Sequence, residues 1–202
     1  MKEQINEQNK VERKVFTTKR LVLMAMFTAL SYVVSFLEIP LFAATPASFL
    51  KLDFGNVFIL LISFLLGPME GIIVCILKEL LRLIGSSSGG VGEIANALMT
   101  VSYIALPAIV YQYRKGIKTV LVTLGIACLI GTGTALLVNR IILFPLYAEL
   151  MGGSIFGMTV EEAFAALWGF IVLFNLIKTV SIGSLTMLLY KRLSNFIKRL
   201  KV

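Results

Sequence analysis

The sequence predicts an all-α integral membrane protein of six transmembrane helices with both termini in the cytoplasm. Three observations carry that prediction. Hydrophobic residues make up 58% of the chain and charged residues 15%, at a mean hydropathy of +0.91. Soluble domains carry about 25% charged residues. Apolar runs close to the length needed to cross a bilayer recur along the chain. Basic residues gather between those runs instead of spreading over one face. The net charge of +8 is therefore the footprint of cytoplasmic loops and not of a nucleic-acid partner. The chain contains no His, which excludes His-based catalysis and His metal ligation. Cys75 and Cys128 both lie inside apolar runs and read as small core residues.

The chain divides into a polar tail (1–20), a membrane domain (21–190) and a basic tail (191–202). Leu21–Leu37 forms span 1, at the lower limit of spanning length; it reads as a first helix and not as a cleaved signal, since apolar spans follow it. Pro40 and Pro46 open a loop that lasts to about Phe54. Span 2 covers about Asn56–Leu66, Gly67-Pro68 turns the chain, and span 3 runs from about Met69 to Ile84. Spans 2 and 3 are short, and a re-entrant hairpin would leave the same parity. Gly85-Ser86-Ser87-Ser88-Gly89-Gly90 forms a loop. Span 4 runs from about Glu93 to Tyr113, span 5 from about Thr119 to Phe144, and span 6 from about Ala163 to Tyr190. Pro145 and Gly152-Gly153 open the loop before span 6.

Charge sets the orientation. The first tail holds six basic residues, the loop between spans 4 and 5 holds Arg114, Lys115 and Lys118, and the last tail holds five, so 14 of 19 fall on one side. The opposite loops contain Glu38, Asp53, Glu149, Glu161 and Glu162, with Lys51 the one clear cation. The stretch Phe49–Gly71 thus begins on the outer face and ends at a cytoplasmic turn.

Lys78, Arg82, Arg140 and Lys178 fall within or at the edge of spans. A charge at a helix centre costs about 2.5–3.5 kcal/mol on insertion scales, so such residues pair with one another or line a cavity. Lys178 has Asn175 three residues before it on the same helical face. Trp168 and Phe164 lie further out along that face. Aromatic surface above a polar pair suits a flat heterocycle, although both aromatics also suit a lipid-facing belt. Ala25-x-x-x-Ala29 in span 1 is a small-residue face that admits close helix approach. Gly90-Val-Gly92-Glu93-Ile94-Ala95 matches a loose dinucleotide fingerprint, but it follows no strand and carries no weight. There is no phosphate-binding G-x-x-x-x-G-K-[ST] motif. Glu161-Glu162 begins a helix and favours its dipole.

Seven short motifs in this order and spacing point to a family. They are Ala25-x-x-x-Ala29; Leu52-Asp53-Phe54; Gly67-Pro68-x-x-Gly71; Lys78-x-Leu80-Leu81; Val91-Gly92-Glu93-x-Ala95-Asn96; Asn139 with Pro145-x-Tyr147; and Phe174-Asn175-x-x-Lys178. Over nearly all of the chain after residue 18, it resembles the substrate-binding S components of energy-coupling factor (ECF) vitamin transporters, and most resembles the riboflavin-specific branch. The resemblance implies a membrane subunit, not an enzyme, in a prokaryotic cell membrane. It implies capture of riboflavin near the outer face beneath the loop between spans 1 and 2, with riboflavin as transported ligand and no cofactor. It further implies a transmembrane coupling subunit, docked on Ala25 and Ala29, and two cytoplasmic ATPases that drive reorientation. Asn139, Asn175 and Lys178 would hydrogen-bond the ligand, Glu93 and Asn96 would line span 4's contribution, Asp53 and its loop would close over it, and Phe164 and Trp168 would supply apolar area. The sequence departs from the family pattern at Gly55-Asn56, at Glu79 and at Arg140. The cation at Arg140 would suit a phosphorylated ligand such as FMN, or would pair with Glu79 or Glu93. An S component for another vitamin, such as pantothenate, and an intramembrane enzyme are the alternatives.

Overall fold

The computed structural model describes residues 17–199, apart from residues 87 and 156. Most of the first tail, the end of the last and Ser87 of the serine loop therefore lie outside the described residues. The elements are α1 (Thr18–Val34), β1 (Glu38–Pro40), β2 (Lys51–Asp53), α2 (Asn56–Leu65), α3 (Pro68–Leu83), α4 (Val91–Tyr113), α5 (Ile117–Val138), a wide π turn (Asn139–Leu143), α6 (Phe144–Leu150) and α7 (Val160–Arg199). Among the described residues, three helical stretches are long and apolar enough to cross a membrane: Val91–Tyr113, Ile117–Leu150 and Val160–Tyr190.

α2 is the hub. Its sequence is apolar all round, which marks a helix for burial on every side. It packs against α1, α3, α4 and α7, and Val57 and Ile59–Phe64 are all buried. Its ten residues rise about 15 Å at 1.5 Å per residue, half the thickness of a hydrocarbon core. The Gly67-Pro68 turn sends α3 back along it. Gly71 permits the close return, because a Cβ there would lie 1.8 Å from Ser63 Oγ. At this end an ion pair joins Arg20 of α1 to Glu70, which is 3% exposed. The hydroxyls of Tyr111 and Tyr190 bond to each other, and both rings lie against Phe64.

The expected helix bounds hold to within about three residues except around two prolines and at the end of span 6, where α7 continues nine residues past Tyr190 to Arg199, into the expected basic tail. The loop expected from Pro40 to Phe54 contains an antiparallel ribbon, with Glu38, Ile39 and Pro40 opposite Asp53, Leu52 and Lys51. Pro40 fits because an end position of a two-stranded ribbon leaves its missing N–H unneeded. Pro145 does not end span 5. It falls in the first turn of α6, where a helix needs no donor from it. The preceding wide turn, in which Phe144 N–H bonds Asn139 O, resets the hydrogen-bond ladder.

The apolar core forms two parts. One surrounds α2 and the Tyr111–Tyr190 end. The other joins the ribbon, the start of α4, the wide turn, α6 and the first half of α7. The second part is hollow.

Candidate functional site

The hollow is a cavity of about 330 Å³ at the ribbon end of the bundle. Glu38, Phe49, Leu50, Lys51 and Asp53 cover it from the ribbon side. Glu79 and Arg82 of α3 and Gly92, Glu93, Ala95, Asn96 and Met99 of α4 form one wall. Asn139 and Leu143 of the wide turn, Phe144 and Tyr147 of α6, and Phe174 and Lys178 of α7 form the other.

The polar part of the site is one connected network. Lys78 is fully buried and donates to Asp53, to Glu79 Oε1 at 2.7 Å and, weakly, to Asn56 Oδ1 at 3.4 Å. Asn96 Nδ2 donates to Glu79 Oε1 at 2.6 Å, and Asn56 Nδ2 donates to Asn96 Oδ1 at 3.2 Å. Lys178 Nζ donates to the same Asn96 Oδ1 at 2.6 Å. Among the described residues, Lys178 ion-pairs with no carboxylate. Burial of charge is tolerable only where partners replace water. Lys78 has that replacement in full. Lys178 faces the cavity with donors still uncommitted, since an ammonium carries three.

Asn139 adds a complementary acceptor. It is 1% exposed, its Nδ2 donates to Ala135 O at 2.7 Å, and its Oδ1 has no partner among the described residues. A buried acceptor left unmade costs about 1–3 kcal/mol, so a ligand donor at this point has a ready stabilising partner. Glu93 is tied differently. Its Oε2 accepts from Ser86 Oγ and Ser88 Oγ, both at 2.8 Å, which fixes the loop at the cavity edge.

The apolar part is aromatic. Phe49 of the cover meets Phe144 and Tyr147 edge-on, with centroids 6.0 Å and 6.4 Å away. The cover is pinned at its edge by Arg82, which donates to Ser35 O at 2.7 Å and to Glu38 Oε2 at 2.9 Å. Lys51 Nζ reaches the other Glu38 oxygen at 2.7 Å. At its base, Gly55 lies so close to α1 that a Cβ would come within 2.3 Å of Ser31 O. Ser31 Oγ donates to Gly55 O at 2.8 Å, and Asp53 Oδ1 accepts from Gly55 N–H at 2.7 Å.

Of the residues singled out from sequence, Asp53, Glu93, Asn96, Asn139 and Lys178 come together on the cavity wall. Asn175 sits just behind Lys178, buried, with Nδ2 donating to Ile171 O at 2.8 Å. Phe164 lies outside the wall, packed on Phe144 at 6.3 Å. Trp168 does not join the site and is 54% exposed. At about 100° per residue it lies roughly 90° round α7 from the buried row Leu167, Ile171, Phe174 and Lys178. Arg140 is also outside. It is exposed, with its guanidinium 5.5 Å from the Phe164 ring centroid, and it pairs with neither Glu79 nor Glu93. Ala25 and Ala29 are exposed on α1, on the face opposite buried Leu23, Phe27 and Thr28.

Sequence reasoning missed Glu79, Arg82 and Glu38 as wall residues, and it missed Phe49, Phe144, Tyr147 and Phe174 as the aromatic lining. The intramembrane position of Lys78 and Arg82 was the available signal for the first group. The aromatic set is assembled by the ribbon and the wide turn, which no periodicity announces.

The arrangement is a partly open cavity lined by donors, an unpartnered acceptor and aromatic surface. The chain matches the family model described as ECF transporter, substrate-specific component, over residues 19–190. It is 34% identical to the riboflavin transporter RibU of Staphylococcus aureus (strain TCH60), across 90% of this chain and 94% of that protein. It is 26% identical to the riboflavin transporter FmnP of Bacillus subtilis (strain 168), across 90% and 95%. A solved S component of a bacterial ECF transporter superposes with a TM-score of 0.74 at 32% identity, covering 89% of this chain and 98% of the other. A family match through almost the whole helical region, together with a shared fold, makes this chain a member of the substrate-specific component family of ECF transporters.

Proposed function

We propose that this chain is the riboflavin-binding membrane subunit of an ECF-type importer. One observation supports this most directly: the 330 Å³ cavity is lined by Lys178, by Asn139 with its unpartnered Oδ1, and by the Phe49, Phe144 and Tyr147 rings. Ligand sites of drug size occupy about 300–1,000 Å³ and combine apolar walls with a few fixed polar groups. The isoalloxazine system is flat, with N–H and carbonyl groups at one edge, and the ribityl chain carries hydroxyls. Asn96, Asn139 and Lys178 would take the polar edge or the ribityl hydroxyls, and Asp53 would hold the cover in place. Asn175 would support Lys178 from behind, and Phe164 would back Phe144. Glu93 would fix the serine loop.

The charge on the wall favours a neutral ligand. Glu38, Asp53, Glu79 and Glu93 stand against Lys51, Arg82 and Lys178, and Arg140 faces away. A phosphate would meet no cluster of free cations, which favours riboflavin over FMN.

In this reading the chain crosses the membrane six times, counting the α5–α6 rod as one pass, with both termini cytoplasmic as the basic loops require. The ribbon end then faces outward and the Gly67-Pro68 turn inward. The exposed Ala25–Ala29 face of α1 would receive a transmembrane coupling subunit by close helix packing. Two partner ATPases would drive reorientation. No covalent step is involved, in keeping with a family of transporters.

The test is to purify the protein and titrate it with riboflavin, reading quenched flavin fluorescence. Saturable one-to-one quenching, or yellow chromophore retained through purification, is the expected result. A protein that ignores riboflavin and FMN but is stabilised thermally by another vitamin would overturn the substrate and leave the family intact.

A further inference from the structure

Deeper in the bundle, a second cavity of about 10 Å³ adjoins the first and shares Lys178 with it. Thr100 and Tyr103 of α4, Asn56 of α2 and Asn175 of α7 also enclose it. This volume is close to the room one water molecule requires, about 10–15 Å³.

The polar groups around it are unequal in their commitments. Tyr103 donates to Thr179 O at 2.8 Å, and both polar atoms of Asn56 are engaged in the network. Thr100 is 4% exposed and its Oγ1 has no partner among the described residues. That is unusual within this molecule. Ser63, Thr123, Thr132 and Thr179 each return a hydrogen bond to the carbonyl four residues earlier, the usual recourse of a hydroxyl inside a helix. Asn175 donates to Ile171 O, and no described donor reaches its Oδ1. Lys178 has one bond, to Asn96. Thr28 Oγ1 is also unpartnered, but Thr28 lines neither cavity.

We propose that one water molecule occupies this second cavity, bonded to Thr100 Oγ1, Asn175 Oδ1 and Lys178 Nζ, and that it holds the Lys178 ammonium aimed at the larger cavity. Three polar partners are what a buried water typically has. A metal cation is the wrong occupant because an ammonium forms part of the wall. Thr100 is thereby a positioning residue, acting on the ligand through Lys178. The consequence for binding rests on the larger cavity being the riboflavin site; the water itself does not.

Thr100→Val and Thr100→Ser separate the outcomes. Valine keeps the shape and removes the hydroxyl, and serine keeps the hydroxyl. Melting is measured on the full chain without ligand, and riboflavin affinity by fluorescence quenching. With a bound water, Thr100→Val melts about 2–4 °C lower than wild type and binds riboflavin about five- to tenfold more weakly. Thr100→Ser keeps its affinity within about twofold. If Thr100→Val melts at or above the wild-type temperature, the hydroxyl was merely an unsatisfied buried group whose removal helps, and the water is overturned. If melting falls while affinity holds, the water stands and the positioning role is overturned. If the wild type binds no flavin, the riboflavin reading fails and the melting comparison still decides the water.

Discussion

The α3 wall and the α7 wall of the cavity each bury one lysine, and they treat it differently. Lys78 on α3 is enclosed by two carboxylates and an amide. Lys178 on α7 meets one amide oxygen, although it is only 6% exposed. Both belong to one network through Asn96 and Asn56. The difference separates two tasks that residue type alone does not separate. A saturated lysine ties three elements together: the ribbon through Asp53, α3 itself, and α2 through Asn56. An unsaturated one leaves a charge-assisted donor facing the cavity. We propose that the first wall serves stability and the second ligand recognition.

The sharpest way to break this comparison is Lys78→Ala. It leaves Asp53 and Glu79 buried without their cation, an uncompensated charge costing about 3–5 kcal/mol, or on the order of 10 °C in melting temperature. Lys178→Met is the counterpart. Ligand-free melting should fall by no more than about 4 °C, the loss of the proposed water, because no carboxylate loses its partner. Riboflavin affinity should fall about 10- to 100-fold, the worth of a hydrogen bond to a charged group. If the two variants lose stability equally, the division between the walls is wrong.

Arg82→Gln probes the edge of the cover. It removes the ion pair to Glu38 while the aromatic contacts of Phe49 stay. Partly exposed pairs contribute about 0.2–1 kcal/mol, so affinity should drop about two- to fivefold, seen in stopped-flow as faster release. High salt should weaken wild-type binding in the same direction. The smallest effect belongs to Trp168→Phe, which should change affinity less than about twofold, as surface substitutions do. A loss above about tenfold there would mean that α7 turns Trp168 inward when the ligand is bound.

Much of the fold can be read from the chain because its causes are local. Gly67-Pro68 marks a turn, and α3 starts at Pro68. The all-apolar run after Asn56 gives α2 within one residue of its end. Lys178 announces itself as a charge among apolar neighbours, and it does line the cavity. What escapes is set by long-range contact. The strands of the ribbon have three residues each, too few for an alternation to register, and the Glu38 pairs with Lys51 and Arg82 that tie them down join residues far apart in the chain. Trp168 shares a nominal face with Asn175 and Lys178 when the helix is drawn alone. Which edge of that face is buried depends on how α7 rolls against α5, and a single helix carries no information on that. Arg140 is similar: its proximity to Asn139 in sequence suggests a shared site, yet consecutive residues on a helix point about 100° apart.

The wide turn at Asn139–Leu143 has a consequence for how such a site can change over time. One additional residue within a helical turn rotates everything beyond it by about 100° relative to everything before. In this chain the rotation decides that Phe144 and Tyr147 face inward. Gain or loss of one residue at this point would exchange the aromatic side of the receptacle for its neighbours on α6 while leaving α5 and its packing untouched. Descendants of this scaffold could therefore acquire a different cargo through a change in length, without first redesigning the surface that receives it.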